Sequence, residues 1–585
     1  MYLTNTNNGF SLKAYRGSLM TLLAMNLDEK PADGSFAGFT IFYINPKGER
    51  KPIQNLINFS GSNVITGSDI SPIQKFNWVH FPGSYQQTGM LTGKYTYEAT
   101  PRYFDAAQKL LPLDESKTVR IKDADVNDFT DGKVSVGFTR AFVKSQAFSN
   151  RYGAKQKLLP AGDDWIFDTS KKAGTHARYG DFTYEDMYAW LGFNARTMLY
   201  GLLSEALHST SVSVEMFAYD FNDPVIANIC LQLAAKGQIR IIMDNAALHT
   251  APDKAGNPST ENNFETRFNA KARNGAALFR CRFARYAHCK EIILKKNNKP
   301  YKVLTGSTNF SYTGLYVNAN HVLVFDDEKV AGYYSDIFNA CWQKGTAKAF
   351  RSTPFAAAAK KFTGGMPVTE LNVSPHSADY AKQLLDDITA MVNDKKNSSV
   401  LFSVMEMGEK STGSLIPALR QLHHNDALYT YGITDNSSGE ISLYKPGVKN
   451  GLLIDAKKAS RELPPPFKQE FALGLMHAIH HKFVITNFNK KNARVYCGSS
   501  NLALGGETDN GDNLLCIKDT DVATVFAIEA LRLTDHYNYR SLKDKKITKA
   551  AATKMKPLML DKTGRWVDRF YDEKDIRCLE RKLFA

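Results

Sequence analysis

Cysteine is scarce and unpatterned in this chain. The seven thiols, at Cys230, Cys281, Cys289, Cys341, Cys497, Cys516 and Cys578, form no CxxC pair and no framework spacing. That sets aside a disulfide scaffold, argues against zinc, and suits reduced thiols in a cytoplasm. Long hydrophobic runs are missing too. No uncharged apolar stretch reaches about 18 residues, so no membrane span is expected. The N-terminus, MYLTNTNNGFSLKAYRG, lacks the charged-then-apolar layout of a secretory signal. A cytoplasmic location is the expectation; export by a signal-independent machine would leave no such trace.

Acidic charge is in deficit. The 59 Asp and Glu residues face 74 Lys and Arg, for a net charge of +15. This balance favours a polyanionic partner, nucleic acid first and an anionic phospholipid surface second, over a general solubility charge. The remaining composition, 43% hydrophobic and 23% charged over 585 residues, is that of ordinary globular protein with room for two to four domains.

Residues 1–160 read as a separate all-β, sandwich-like unit. Short alternating runs (FTIFYI, TYEA, KVSVGF, AFVK) sit between Gly, Pro, Asn and Asp clusters. Trp78, Tyr95, Tyr97 and Tyr103 are expected in its core. From about 185 the pattern changes. SVSVEMFAYDF is a strand, DPVIANICLQLAAKG a helix with Asp near its start and Gly237 near its end, and QIRIIMDN the next strand. This βαβ order defines a unit over 185–350. A linker is expected across about 350–375, then a second unit over 375–545 that repeats the plan. A basic tail over 546–585, expected to be solvated or to touch a polyanion, ends the sequence.

Within those two units lies an internal repeat. The stretch from His288 to Phe325 aligns without a gap on the stretch from His480 to Ile517, 192 positions later. His288 meets His480, Lys290 meets Lys482, and Gly306-Ser307-Thr308-Asn309 meets Gly498-Ser499-Ser500-Asn501. Polar identities persist while apolar filler drifts, which is the mark of a duplicated site.

In extended chain, residues two apart share a face, so each His lies beside its Lys. Gly lets backbone approach a ligand closely, while Ser and Asn offer short hydrogen-bonding groups. Two copies face to face would supply two imidazoles and two ammonium groups around one concavity. That inventory suits a tetrahedral phosphate: Lys and Asn hold non-bridging oxygens, one His attacks, the other protonates the departing oxygen. No carboxylate cluster suited to Mg²⁺ accompanies the motifs, so the expected route uses no metal and no cofactor.

The two stretches resemble the paired H-x-K…G-S-x-N motifs of the phospholipase D superfamily, over roughly residues 185–545. The resemblance implies an α/β fold with two pseudo-repeated α/β/α lobes that form one active site, preceded here by the all-β unit. It also implies a covalent phosphohistidine intermediate, with His288, His480, Lys290 and Lys482 as catalytic residues. Ser307, Asn309, Ser499 and Asn501 would bind or support the phosphate. The sequence departs from the family where the motif continues to an Asp: Lys295 and Asn487 stand there. The family's downstream acidic position holds Asp512 in the second copy and Asn320 in the first. With Asp512 behind it, His480 is expected to be the nucleophile and His288 the acid, although a carboxylate would equally keep a general acid protonated.

The motif does not choose between lipid and nucleic acid. Lys271, Arg273, Arg280, Arg282, Arg285, Lys295, Lys296 and Lys299 surround the first copy; Lys490, Lys491 and Arg494 adjoin the second. If the charged hairpins flank the cleft they make a cationic rim that tracks a phosphate backbone. The first reading is therefore a nuclease acting on DNA or RNA. The second is a phospholipase D acting on glycerophospholipids, and the third a catalytically silent nucleic-acid binder. Tyr286, Phe310, Tyr312 and Tyr316 are assigned to the core ahead of base stacking. His481 is assigned a structural or rim position, and Glu215 and Asp220 are weaker candidates for lining the cleft. Both motifs lie in one chain, so a monomer can complete the site.

Overall fold

The computed structural model describes the chain apart from residues 1, 33, 62–63, 84–90, 142–145, 154–155, 163, 254, 345, 406–412, 414, 426, 436–440, 445–451, 455–477 and 544–558. Most of the AFVK run and of the basic stretch after Lys543 lie outside the described residues. Among the described residues, no helix is long and apolar enough to cross a membrane.

Two four-stranded antiparallel sheets open the chain. One pairs Tyr2–Asn7, Phe10–Arg16, Thr21–Leu27 and Asn77–His80; the other pairs Val119–Val126, Gly93–Tyr103, Phe36–Ile44 and Arg50–Pro52. Phe10, Leu12 and Met25 from the first meet Phe39, Ile41 and Tyr97 from the second in one buried cluster. Period-two alternation explains this for Phe10–Arg16, while Thr21–Leu27 is apolar on both faces and sends Leu22 and Ala24 into the core of the large sheets. Tyr95 and Tyr97 are in that core as expected, and Trp78 and Tyr103 pack against it half-buried.

Two larger mixed sheets follow. The first runs in the order Phe129–Asp131, Val134–Phe138, His321–Phe325, Lys299–Gly306, Glu291–Lys296, Val212–Ala218, Ile239–Asp244, Ala277–Cys281. The second runs Lys360–Phe362, Val368–Val373, Asn513–Lys518, Arg494–Gly498, Lys482–Thr486, Ser399–Met405, Tyr429–Asp435, Ile441–Tyr444, Leu452–Ile454. In each, the motif strands occupy the centre. Val212–Ala218 pairs in parallel with Ile239–Asp244, as Ser399–Met405 does with Tyr429–Asp435. The crossover helix Pro224–Ala235 starts where Asp223 accepts from the backbone N–H groups of Val225 and Ile226, with Pro at a first-turn position that needs no donor. One core cluster runs through both sheets, joining Ile293, Val303 and Leu323 to Phe483, Ile485 and Leu515.

Three boundaries differ from the sequence reading. The strands Phe129–Asp131 and Val134–Phe138, inside 1–160, belong to the first large sheet, where Val134–Phe138 pairs with His321–Phe325. The stretch expected as a linker carries Val368–Val373, which pairs with Asn513–Lys518 in the matching place of the second sheet. The Pro and Gly residues beside it masked this six-residue strand. The C-terminal segment is not a solvated tail: Val567 and Phe570 enter the core of the N-terminal sheets, and the Tyr15 hydroxyl donates to the Phe584 carbonyl at 2.8 Å.

Two isolated parallel bridges join the large sheets, Ala287 with Gly511 and Ala319 with Ile479. Ala287 and Ile479 are equivalent under the repeat, as are Ala319 and Gly511. The contact is therefore self-complementary: each sheet presents the same patch to the other.

Candidate active site

Those bridges place the motif residues. The His288 N–H donates to the Gly511 carbonyl at 2.8 Å, and the His480 N–H donates to the Ala319 carbonyl at 3.0 Å. A carboxylate at the end of the neighbouring strand holds each approach. Asp244 accepts from Ala287 N at 2.5 Å, and Asp435 accepts from Ile479 N at 3.0 Å. Gly306 and Gly498 adopt φ of 146° and 141°. A Cβ on either would sit 2.4 Å from the carbonyl oxygen of His321 or Asn513.

The acidic residue works across the sheets, which corrects the expected pairing. Asp512 Oδ1 lies 2.6 Å from His288 Nδ1, not beside His480. His480 Nδ1 lies 2.8 Å from Asn320 Oδ1. Alignment gives equivalence between copies, whereas the bridges bring each GSxN-side loop onto the other copy's histidine. Asn320 Nδ2 donates to the Gly314 carbonyl at 2.9 Å, which fixes its oxygen as the acceptor. Both rings are thus held with Nδ1 as donor, leaving Nε2 for chemistry.

The serines stand behind these partners. Ser307 Oγ donates to Asn320 Oδ1 at 2.8 Å and Ser499 Oγ to Asp512 Oδ1 at 2.7 Å. Each hydroxyl also accepts a backbone N–H, from His321 and Asn513 respectively, at 3.0 Å. They orient the residues that orient the histidines. Asn309 and Asn501 are buried, and the side-chain oxygen of each lacks a partner.

Lys290 and Lys482 are buried, and each ammonium donates to the carbonyl of the motif histidine two residues earlier, Lys482 at 2.8 Å. Among the described residues neither has a carboxylate hydrogen-bond partner. Burial pulls the Lys290 ammonium down to about 8. Burial, then the nearby Lys290 charge, carries Lys482 well below its ordinary value. Two desolvated amines this close repel when both are charged, so an anion bound between them would favour their charged forms. Burial also lowers His288 to about 4, against the opposing pull of Asp512. Asp512 is itself pushed up by burial, but His288 and Lys290 outweigh this and hold it below the usual carboxylate range.

Other expectations change. Glu215 is not in the site; its carboxylate takes Arg240, Lys295 at 2.8 Å and Ser335 at 2.6 Å. Lys295 is thereby internally paired, and Asn487 bonds Asn397 at 2.8 Å. The charged hairpins do not flank the cleft. Lys290 and Gly306 mark one end of the strands Glu291–Lys296 and Lys299–Gly306, and the turn lies at the other, roughly 20 Å away at 3.3 Å per residue. Arg280 is tied to Glu265 at 2.9 Å. Arg282 and Arg285 remain exposed on the segment leading into His288. Phe310 and Tyr316 are core residues, Tyr316 stacked on Tyr188 at 4.1 Å. His481 is buried, 3.1 Å from Glu529, and stacks on His321.

Sequence reasoning missed Tyr219. Its ring meets His288 edge-on at 4.5 Å, and the Lys290 ammonium lies 4.7 Å from its centre. On its other side is His249, at 4.6 Å. His249, Glu261 and Asp220 form a compact cluster beside the first motif, so a carboxylate group does accompany it. Asp220 bonds Asn309 Nδ2 at 3.4 Å, near the site as read. The signal available was an acidic residue closing each parallel strand, Asp220 and Asp244.

A search of curated proteins finds no match. Among solved structures, polyphosphate kinase from Porphyromonas gingivalis shares 14% identity with a TM-score of 0.35, covering 68% of this chain and 54% of that one. The phospholipase D family member Nuc from Salmonella typhimurium shares 24% with a TM-score of 0.20, covering 26% and 88%. Phosphatidylserine synthase from Haemophilus influenzae shares 10% with a TM-score of 0.40, covering 67% and 92%. Residues 203–342, which hold the first motif, match the family model described as cardiolipin synthase, PLD-like domain. Residues 203–342 are thus similar to a phospholipase D-like domain.

Proposed function

We propose that this chain is a phosphodiesterase in which the two large sheets are pseudo-repeated lobes sharing one active site. His288 Nε2 attacks phosphorus and displaces the leaving alkoxide, forming a phosphohistidine. His480 donates its Nε2 proton to that alkoxide, then takes a proton from the water that hydrolyses the intermediate. Lys290, Lys482, Asn309 and Asn501 hold the non-bridging oxygens. The observation that carries the assignment is the Asp512–His288 bond at 2.6 Å. A carboxylate on Nδ1 stabilises the cationic phosphoimidazole that forms, while the neutral Asn320 leaves His480 readier to release its proton.

The substrate we propose is nucleic acid, favoured by the net charge of +15 and the exposed Arg282 and Arg285. Glycerophospholipid is the second reading, and a silent nucleic-acid binder the third. A chromogenic phosphodiester, assayed with no divalent cation added, tests the chemistry. Turnover lost in His288→Ala supports it, and no turnover refutes it. Nicking of DNA or RNA against headgroup release from liposomes then decides the substrate. Salt-dependent retention on DNA with neither activity identifies the silent binder.

A further inference from the structure

We infer that Asp220, His249 and Glu261, joined by the amide of Asn309, form a divalent-cation site suited to zinc. One ligand atom from each of the first three residues lies within 4.8 Å of the others. An imidazole nitrogen with two carboxylate oxygens is a donor set that a borderline ion such as Zn²⁺ accepts. Mg²⁺ prefers oxygen alone and keeps its waters.

One buried amide beside the cluster carries an oxygen without a hydrogen-bond partner and can turn it to face Asp220. Asn309 is 8% exposed and its Oδ1 bonds nothing. Its Nδ2 stands 3.4 Å from Asp220 Oδ2. A half-turn of the amide keeps its shape and puts the oxygen there instead, as a fourth donor. His249 is 3% exposed; its Nε2 makes no hydrogen bond and pairs with Asp244 Oδ2 at 3.9 Å. Three carboxylates, on Asp220, Glu261 and Asp244, thus gather around one imidazole, with the Lys290 ammonium as the nearby cation. A positive centre among them, besides Lys290, would let these buried carboxyls ionise together. The competing arrangement is a protonated His249 bonded to Glu261, at 3.2 Å, as that centre.

The ligands come from three segments: the chain just past Val212–Ala218, the short helix Ala247–Thr250 and the helix Thr260–Lys271. An ion would tie them together beneath Tyr219, whose ring touches both His249 and His288. It would position Tyr219 and Asn309 without meeting the reacting phosphorus. The inference does not depend on the phosphodiesterase reading, since its readout is binding.

The full chain, purified without chelator or metal-affinity steps, is dialysed against Zn²⁺ and its metal content measured. The expected result is about one tightly held ion per chain, a Tm raised by Zn²⁺ but not Mg²⁺, and loss of the ion in His249→Ala. Glu261→Gln, which keeps shape and the contact to the Phe221 N–H, serves if the alanine variant misfolds; it should bind at least tenfold more weakly. Co²⁺ in place of Zn²⁺ should show visible absorption without a thiolate charge-transfer band. A wild type that holds no Zn²⁺ overturns the inference in favour of the imidazolium. So does Zn²⁺ retained by folded variants, or a thiolate band.

Discussion

His288 donates from Nδ1 to the Asp512 carboxylate at 2.6 Å, and these two residues belong to different copies of the repeated motif. The reciprocal pair, His480 with Asn320 at 2.8 Å, has an amide where the first has a carboxylate. Backbone symmetry is thus combined with chemical asymmetry, and the roles of the two imidazoles should separate.

Exchanging the partners tests that asymmetry. Asp512→Asn should keep the hydrogen bond but lower kcat by about 10² to 10⁴, since the cationic intermediate loses its counter-charge. Asn320→Asp should cost less with a nitrophenyl leaving group, which needs no proton, than with an alkyl one. Steady-state kinetics on both diesters checks this.

The pH profile of kcat/KM reports the free enzyme. Burial holds His288 neutral down to about 4, so nucleophilic attack should persist into mild acid. Lys290 carries its charge below about 8 and loses it above. With a nitrophenyl diester, kcat/KM should therefore be level from about pH 5 to 7 and fall above 8. A steep loss between pH 6 and 5 would contradict it.

The lysines sit against stability. Both are buried ammonium groups without carboxylate hydrogen-bond partners among the described residues. Lys482→Met should raise unfolding free energy by about 1 kcal/mol or more while removing activity. Denaturant titration and the chromogenic assay on one preparation measure both.

Glu507 offers a stability test near the same loop. Burial pushes its carboxyl up to about 8, and it bonds Ser500. Between its unfolded value of 4.5 and about 8 the folded chain holds a proton that the unfolded chain releases. Its contribution is therefore complete in acid and declines as pH rises through that window. Glu507→Gln should match wild type near pH 4 and exceed it at pH 8 by on the order of 1 kcal/mol.

Much of this site was legible in the sequence. The 192-residue offset located His288, Lys290, Ser307, Asn309, Asn320 and their counterparts. Gly306 and Gly498, expected from the sequence to let backbone approach a ligand, have positive φ and instead lie close against a neighbouring carbonyl. Alignment gives equivalence rather than contact, so it joined Asp512 to the wrong histidine. The cationic rim failed because a hairpin between two motif strands must lie a strand length from their shared end. Tyr219 and His249 carry no spacing signal, since folding alone brings Ala247–Thr250 beside the end of Val212–Ala218.

The most direct test is to trap the intermediate. His480→Ala is mixed with a nitrophenyl phosphodiester, whose leaving group departs unaided, quenched and mapped by peptide mass spectrometry. The account predicts a phosphoryl adduct that accumulates on His288, because the base for its hydrolysis is gone. An adduct on any other residue, or a burst of nitrophenol with no adduct on His288, would contradict it.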